Sequence, residues 1–178
     1  IVSARFWGHA VDRIGAGPVL VFCSFGIAAV PLTWFFVTPD RLWPIALDAV
    51  FAAFLWAGHG IAAFDLTIGL APRASRPIYL AAFATAGGLG FGAASILAGQ
   101  LAGLMPVHFE LAGQAWTNLH VLFLLSSLGR LASAGLSLRL HDPGARGTVR
   151  ELVAALADRL GIGVVRPYLP VLVRIPRR

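Results

Sequence analysis

The stretch LWPIALDAVFAAFLWAGHGIAAFDLTIGLAP, residues 42–72, decides how the chain is read. As a helix rising about 1.5 Å per residue it is more than about 40 Å long, enough to cross a hydrocarbon core of about 30 Å with some tilt. Its apolar run is interrupted by Asp48, His59 and Asp65. Ionisable groups are costly at membrane depth, so they face protein or a water-filled path and are functional candidates. The alternative reading is an inward-facing group satisfied by a neighbouring helix.

The whole composition agrees with that reading. Mean hydropathy is +0.80, 58% of residues are hydrophobic and 12% are charged, against about 25% charged in soluble domains. The class is an integral, multi-pass membrane protein of all-α type. All 14 basic residues are Arg, which with the abundance of Ala, Gly and Leu points to a GC-rich, bacterial gene. The pI of about 11.2 does not indicate nucleic acid as a partner. The arginines lie in loops and the tail around apolar runs, the distribution that sets membrane orientation. Cys23 is alone inside an apolar run, which leaves no disulfide framework or metal-type spacing. His9, His59, His108, His120 and His141 show no paired ligand spacing, and no Ser lies in an activated-nucleophile motif. No enzyme activity, metal or cofactor is expected. The chain opens at Ile1 with neither a start methionine nor a signal-peptide pattern, and it reads as part of a longer protein.

Four spans are expected, about 17–37, 43–70, 77–104 and 117–140, followed by a tail over 141–178. Pro31 is placed to kink the first, whereas Pro44 and Pro77 suit first turns, where a missing N–H costs nothing. The third span is rich in small residues, with Gly88-x-x-x-Gly92 and Gly99-x-x-x-Gly103 at the spacing that lets helices approach closely. These glycines are read as helix packing. The run Gly87–Gly92 is not a dinucleotide fingerprint, since no strand or βαβ unit surrounds it. Met105–Ala115 is a loop, Trp116 an interfacial anchor, and Arg130 an intramembrane cation in need of a partner. In the tail, Thr148 and Glu151 have capping-box spacing ahead of an amphipathic helix over about 149–160. Arginines 166, 174, 177 and 178 beyond it would suit an anionic membrane surface, with a merely solvated tail as the alternative.

Arginine distribution gives the orientation. With four spans, the leading segment (Arg5, Arg13), the middle loop (Arg73, Arg76) and the eight arginines from Arg139 onward share one side, while the opposite loops hold only Arg41. By the positive-inside rule both ends are cytoplasmic, in a cell membrane and, for a bacterial gene, the inner one.

The leading segment contains Gly8-x-x-x-Asp12-Arg13-x-Gly15 on a cytoplasmic loop that enters a span. This resembles the signature of the major facilitator superfamily, which recurs between helices eight and nine, and four spans plus a tail follow it here. The resemblance covers residues 1–140. It implies the end of helix eight through helix twelve of the C-terminal half of a transporter, with the N-terminal half missing. Ala16-Gly17-Pro18 replaces the basic residues that usually continue the motif. In that family the helix matching residues 42–72 lines the central cavity, so Trp56, His59 and Asp65 become candidates for the substrate or proton path. The carboxylate matching Asp12 lies near a helix N-terminus of the opposite half, making Gly8, Asp12, Arg13 and Gly15 a conformational motif. The third span matches a helix that flanks the cavity and takes part in gating.

Helical phase limits the carry-over. His59 and Asp65, six residues apart, lie about 120° around the axis, whereas Asp48 and His59 share a face. Asp65 and Arg130, of opposite charge and similar depth, are expected to form an intramembrane ion pair, leaving His59 as the proton candidate because its ordinary pKa is near 6.5. The implied function is secondary active transport of a small solute, with proton coupling, by alternating access; the alternative is a non-transporting membrane scaffold or assembly factor of the same fold. The orientation predicts that, in a Cys23→Ser background, a cysteine at Gln114 reacts with an impermeant thiol reagent added outside cells and one at Ala145 does not. The reverse labelling pattern would overturn it.

Overall fold

The structure is a computed structural model describing residues 2–111 and 114–159. Helix α1 spans Val2–Ile14. It carries Phe6, Trp7, Ala10, Val11 and Ile14 on its inner face and Arg5, His9, Asp12 and Arg13 on the other. Gly15 ends it: its backbone sits at φ 108°, a conformation that disfavours any side chain, while its N–H closes the helix on the Val11 carbonyl at 2.9 Å. Gly8, Asp12 and Arg13 therefore lie on a helix, and not on the loop expected from the sequence.

Helix α2, Ala16–Ala29, continues as a 3-10 helix, Val30–Phe36, and the two make one apolar segment of 21 residues. Pro31 is the reason for the change of winding, because it has no N–H to give the α-helical ladder. Helix α3, Trp43–Leu70, and helix α4, Arg76–Leu104, each carry proline in the first turn. A two-stranded antiparallel hairpin follows, β1 (His108–Leu111) and β2 (Gln114–Thr117), with Phe109 opposite Trp116. Helix α5, Asn118–Ser137, and helix α6, Val149–Arg159, complete the described chain. Four of these segments are long and apolar enough to cross a membrane, the character of a multi-pass protein.

The described chain is helical as expected apart from the hairpin, which replaces the plain loop expected over Met105–Ala115. Trp116 belongs to β2, and the last span occupies 118–137 where 117–140 was expected. Thr117 stops the strand and caps the helix: its hydroxyl and backbone N–H lie 2.9 and 3.0 Å from His120 Nδ1. In the tail, Thr148 and Glu151 form a reciprocal cap, each backbone N–H reaching the other's side-chain oxygen at 3.2 and 3.3 Å. Arginines 166, 174, 177 and 178 lie outside the described residues.

The buried core lies where α1, α2, α3 and α6 meet. Trp7, Val19, Cys23, Ala62, Leu66 and Leu152 are its centre. Trp7 donates its indole N–H to the Phe54 carbonyl at 2.8 Å, and its ring stands 4.9 Å from that of Phe54. Gly58 makes room for this contact: a Cβ there would lie 2.6 Å from both the Trp7 ring and Cys23 Sγ. Helix α4, by contrast, buries no residue, and a Cβ added at Gly88, Gly92, Gly99 or Gly103 would meet nothing within 4 Å. The expected packing role of these four glycines is not realised among the described residues. Close approach is made at Gly26, against Leu55, and at Gly58, because α2 and α3, not α4, lie at the centre of the bundle. Gly58→Leu should accordingly lower thermal stability in detergent by about 1–3 kcal/mol through overpacking, and Gly92→Leu should leave it unchanged. Equal effects would contradict the packing described.

Candidate functional site

The site is built from the proline of the first span. In α-helical geometry the N–H of residue 31 would serve the carbonyl of Ile27; in 3-10 geometry it would serve that of Ala28. Pro31 serves neither, and a bilayer interior supplies no water to replace it. Ser127 of α5 fills the gap at Ala28, and Arg130, three residues on along the same face, reaches the neighbouring carbonyl of Ile27. The Ser127 hydroxyl donates to the Ala28 carbonyl, and an Arg130 guanidinium N–H donates to the Ile27 carbonyl over a long 3.4 Å. The Ile27 carbonyl also receives the Val30 N–H, as the helix tightens.

Held there, the Arg130 guanidinium carbon lies 5.7 Å from the centroid of the Trp56 ring on α3. A cation over an indole is stabilised by about 0.5–2 kcal/mol, more when desolvated. Trp56 meets His59 edge-on, with ring centroids 5.5 Å apart and planes at 67°, the contact expected of side chains one helical turn apart. Arg130, Trp56 and His59 thus form a continuous polar seam between α3 and α5. Trp56 is 48% exposed in the described chain, so the seam has an open flank. On its other side His59 faces a cavity of about 210 Å³ that it shares with Ser24, Ser133 and Ser137. The cavity has room for several waters between an imidazole and hydroxyls, the materials of a proton path.

Asp48 lies on the same side of α3 as His59, as phase requires. It accepts a hydrogen bond of 2.7 Å from the Thr33 hydroxyl, which is also 2.7 Å from the Val30 carbonyl, so one hydroxyl proton serves two acceptors at the 3-10 segment.

Asp65 is not part of this constellation. No ion pair forms among the described residues, and Asp65 is exposed. The reason is rotational. Asp65 is nine residues beyond Trp56, about 180° around the helix and about 13 Å along it, so a guanidinium over Trp56 cannot also reach Asp65. Similar depth was a poor guide because azimuth decides which helix a side chain meets.

The Gly8–Gly15 motif is a separate site at the end of the bundle. A Cβ on Gly15 would fall 2.7 Å from Ala145 Cα, because residues 142–147 cross the α1–α2 junction. Asp142 accepts the Gly17 N–H at 2.7 Å, an anion at the N-terminus of α2, while the N–H groups of Arg146 and Gly147 both reach the Ile14 carbonyl at 2.9 and 3.0 Å. Asp12 and Arg13 are exposed, and Gly8 is open, with nothing within 4 Å of an added Cβ. Reasoning from sequence missed Asp142, Ser127 and Thr33. Ser127 was legible in principle, as a hydroxyl one turn from Arg130 in a chain with a mid-span proline.

Compared with known proteins, the chain matches no family model, no curated protein and no solved structure.

If Pro31 creates the need that Ser127 meets, the two are coupled. Ser127→Ala should cost about 1–3 kcal/mol in the native background by leaving a buried carbonyl unpaired, and clearly less in Pro31→Ala, where the backbone N–H is restored. Thermal unfolding of the four variants measures this; equal costs in both backgrounds would refute the coupling.

Proposed function

We propose that this chain is the C-terminal part of a secondary active transporter of major-facilitator type, which moves a small solute by alternating access against a half of the protein that lies outside this chain. One observation carries the reading: the seam of Arg130, Trp56 and His59 within otherwise apolar membrane-spanning helices, open on one flank. Charged and titratable groups at that depth mark substrate and ion pathways. On this reading Trp56 and Arg130 contact the solute, and His59, beside the cavity it shares with three serines and three leucines, exchanges the coupling proton. The chain carries no reaction chemistry of its own, and both its ends face the cytoplasm. Asp12, whose carboxylate accepts no hydrogen bond among the described residues, is free to meet a helix N-terminus of the other half in one conformational state. The full exposure of α4 favours a second reading, a non-transporting scaffold that holds a partner through that helix.

Proteoliposomes of the full-length polypeptide, loaded with a pH-sensitive dye and presented with a panel of small solutes, separate the two. A transporter gives solute-dependent proton flux, which His59→Gln abolishes while solute binding persists. Loss of flux with Asp65→Asn and not with His59→Gln would assign the proton to Asp65. No flux with any solute, together with capture of a partner that Gly92→Leu disrupts, would establish the scaffold.

A further inference from the structure

A second cavity, of about 620 Å³, lies between α1 and α6, away from the seam. Its size is that of a small-molecule pocket, about 300–1,000 Å³. The walls are apolar: Phe6, Ala10 and Ile14 of α1 face Leu152, Ala155 and Leu156 of α6. The rim is cationic. Arg5, His9 and Arg13 recur every four residues along α1, on the edge of the cavity, a spacing that stacks side chains on one face. His9 donates its Nδ1–H to the Arg5 carbonyl at 2.8 Å, leaving Nε2 turned outward. Arg146 brings a third guanidinium to the same edge, donating to the Asp12 carbonyl at 3.5 Å. Among the described residues Asp12 is the one carboxylate lining the cavity, and none lies within ion-pair distance of Arg5, Arg13 or Arg146.

Position supplies the rest of the argument. The first membrane-spanning segment begins at Ala16, three residues after Arg13, so the end of the rim that carries Arg13 and Arg146 stands where a span passes into the headgroup layer, whereas α1 runs back along α3 and places Arg5, next to the Phe6–Phe54 contact, deeper. An apolar cavity that opens between arginines at that depth matches a molecule with a hydrocarbon body and an anionic head. We propose that the α1–α6 cavity binds an anionic phospholipid of the adjacent leaflet, an acyl chain lying against Phe6, Ile14, Leu152 and Leu156 and the phosphate between Arg13 and Arg146. A zwitterionic lipid offers these cations no net charge, and a free phosphate leaves the apolar walls unused. The lipid would join α6 to α1 and so tie the tail to the start of the chain.

The test uses the full chain, delipidated in detergent and titrated with phosphatidylglycerol, with phosphatidylcholine of the same acyl chains, and with inorganic phosphate, bound lipid being counted by native mass spectrometry. Phosphatidylglycerol should be retained in preference to phosphatidylcholine. Arg13→Gln with Arg146→Gln should weaken it about thirtyfold, the effect of two arginines at a charged surface, while the paired change to Lys largely restores it. Ala155→Trp, which fills the cavity and leaves every charge in place, should displace the lipid. Equal retention of the two lipids, or lipid binding untouched by Ala155→Trp, overturns the proposal. Phosphate that competes equally well in the native chain and in Ala155→Trp would mean a free-anion site only, and overturns it as well. Should the Gln variant not stay folded, judged by circular dichroism, the Ala155→Trp and Lys arms decide by the same criteria.

Discussion

Pro31 removes one N–H from a segment that crosses a membrane, and the arrangement of the bundle follows from the carbonyl it leaves open. In water such a carbonyl would be solvated. In lipid an unpaired one costs about 1–3 kcal/mol or more, so a donor must come from another helix. Helix α5 supplies it through Ser127, with Arg130 adding a donor to the Ile27 carbonyl that the Val30 N–H already serves, and the two contacts fix the rotation and height of α5 on α2. With the guanidinium anchored there, Trp56 of α3 lies against it and orients His59 in turn. The cation–π contact, at about 0.5–2 kcal/mol, is of the same order as the backbone requirement. Arg130 therefore has a structural partner and an exposed aromatic one at once. A residue with both can hold the bundle together and still present positive charge to whatever approaches the open flank.

The two ends of the spans are built differently. At the α1 end, polar backbone groups are tied by the crossing segment 142–147, and an indole, a glycine and a thiol interlock at Gly58. The Cys23 thiol there is wholly buried packing material. At the opposite end aromatic rings do the work: Trp34 stacks on Phe123 at 5.3 Å and 27°, and Phe35 meets both Trp116 and His120. Broad aromatic surfaces suit the membrane interface, where one face of a ring is apolar and the edge is wet.

Helix α4 follows neither scheme. It touches α3 and α5 only lightly and is anchored near its end by Asn118, whose side chain donates to the Ala102 carbonyl at 3.1 Å. Its exposure costs nothing in lipid, because hydrocarbon solvates leucine as well as another helix does; association of such helices depends on close backbone approach. The glycine faces of α4 are shaped for that approach and are unused by the described chain. In the transporter reading they belong to the gating surface between halves, and in the scaffold reading to a partner helix.

The sequence by itself determined what depends on local order and on the solvent. Apolar runs bounded by Pro44 and Pro77 located the spans because a bilayer allows only hydrogen-bonded helices to cross, and the Thr148–Glu151 spacing located a helix start because capping is a contact between residues three apart. His59 and Arg130 could be singled out for the same reason, as polar groups where polar groups are costly, and Trp56 through the family resemblance. Their partners could not. Depth along a helix is readable from residue count, but azimuth relative to other helices is set by packing, and so the Asp65–Arg130 pair gave way to Arg130 with Trp56 and the Ile27 carbonyl. Likewise glycine spacing marks a helix that can be approached closely, yet which helix approaches is a property of the whole bundle. That is why Gly58 is packed and Gly88 is open. The capture of the α2 N-terminus by Asp142, 125 residues away in sequence, was decided by tertiary structure alone, because nothing in the local sequence at either end records the distance the chain must fold back.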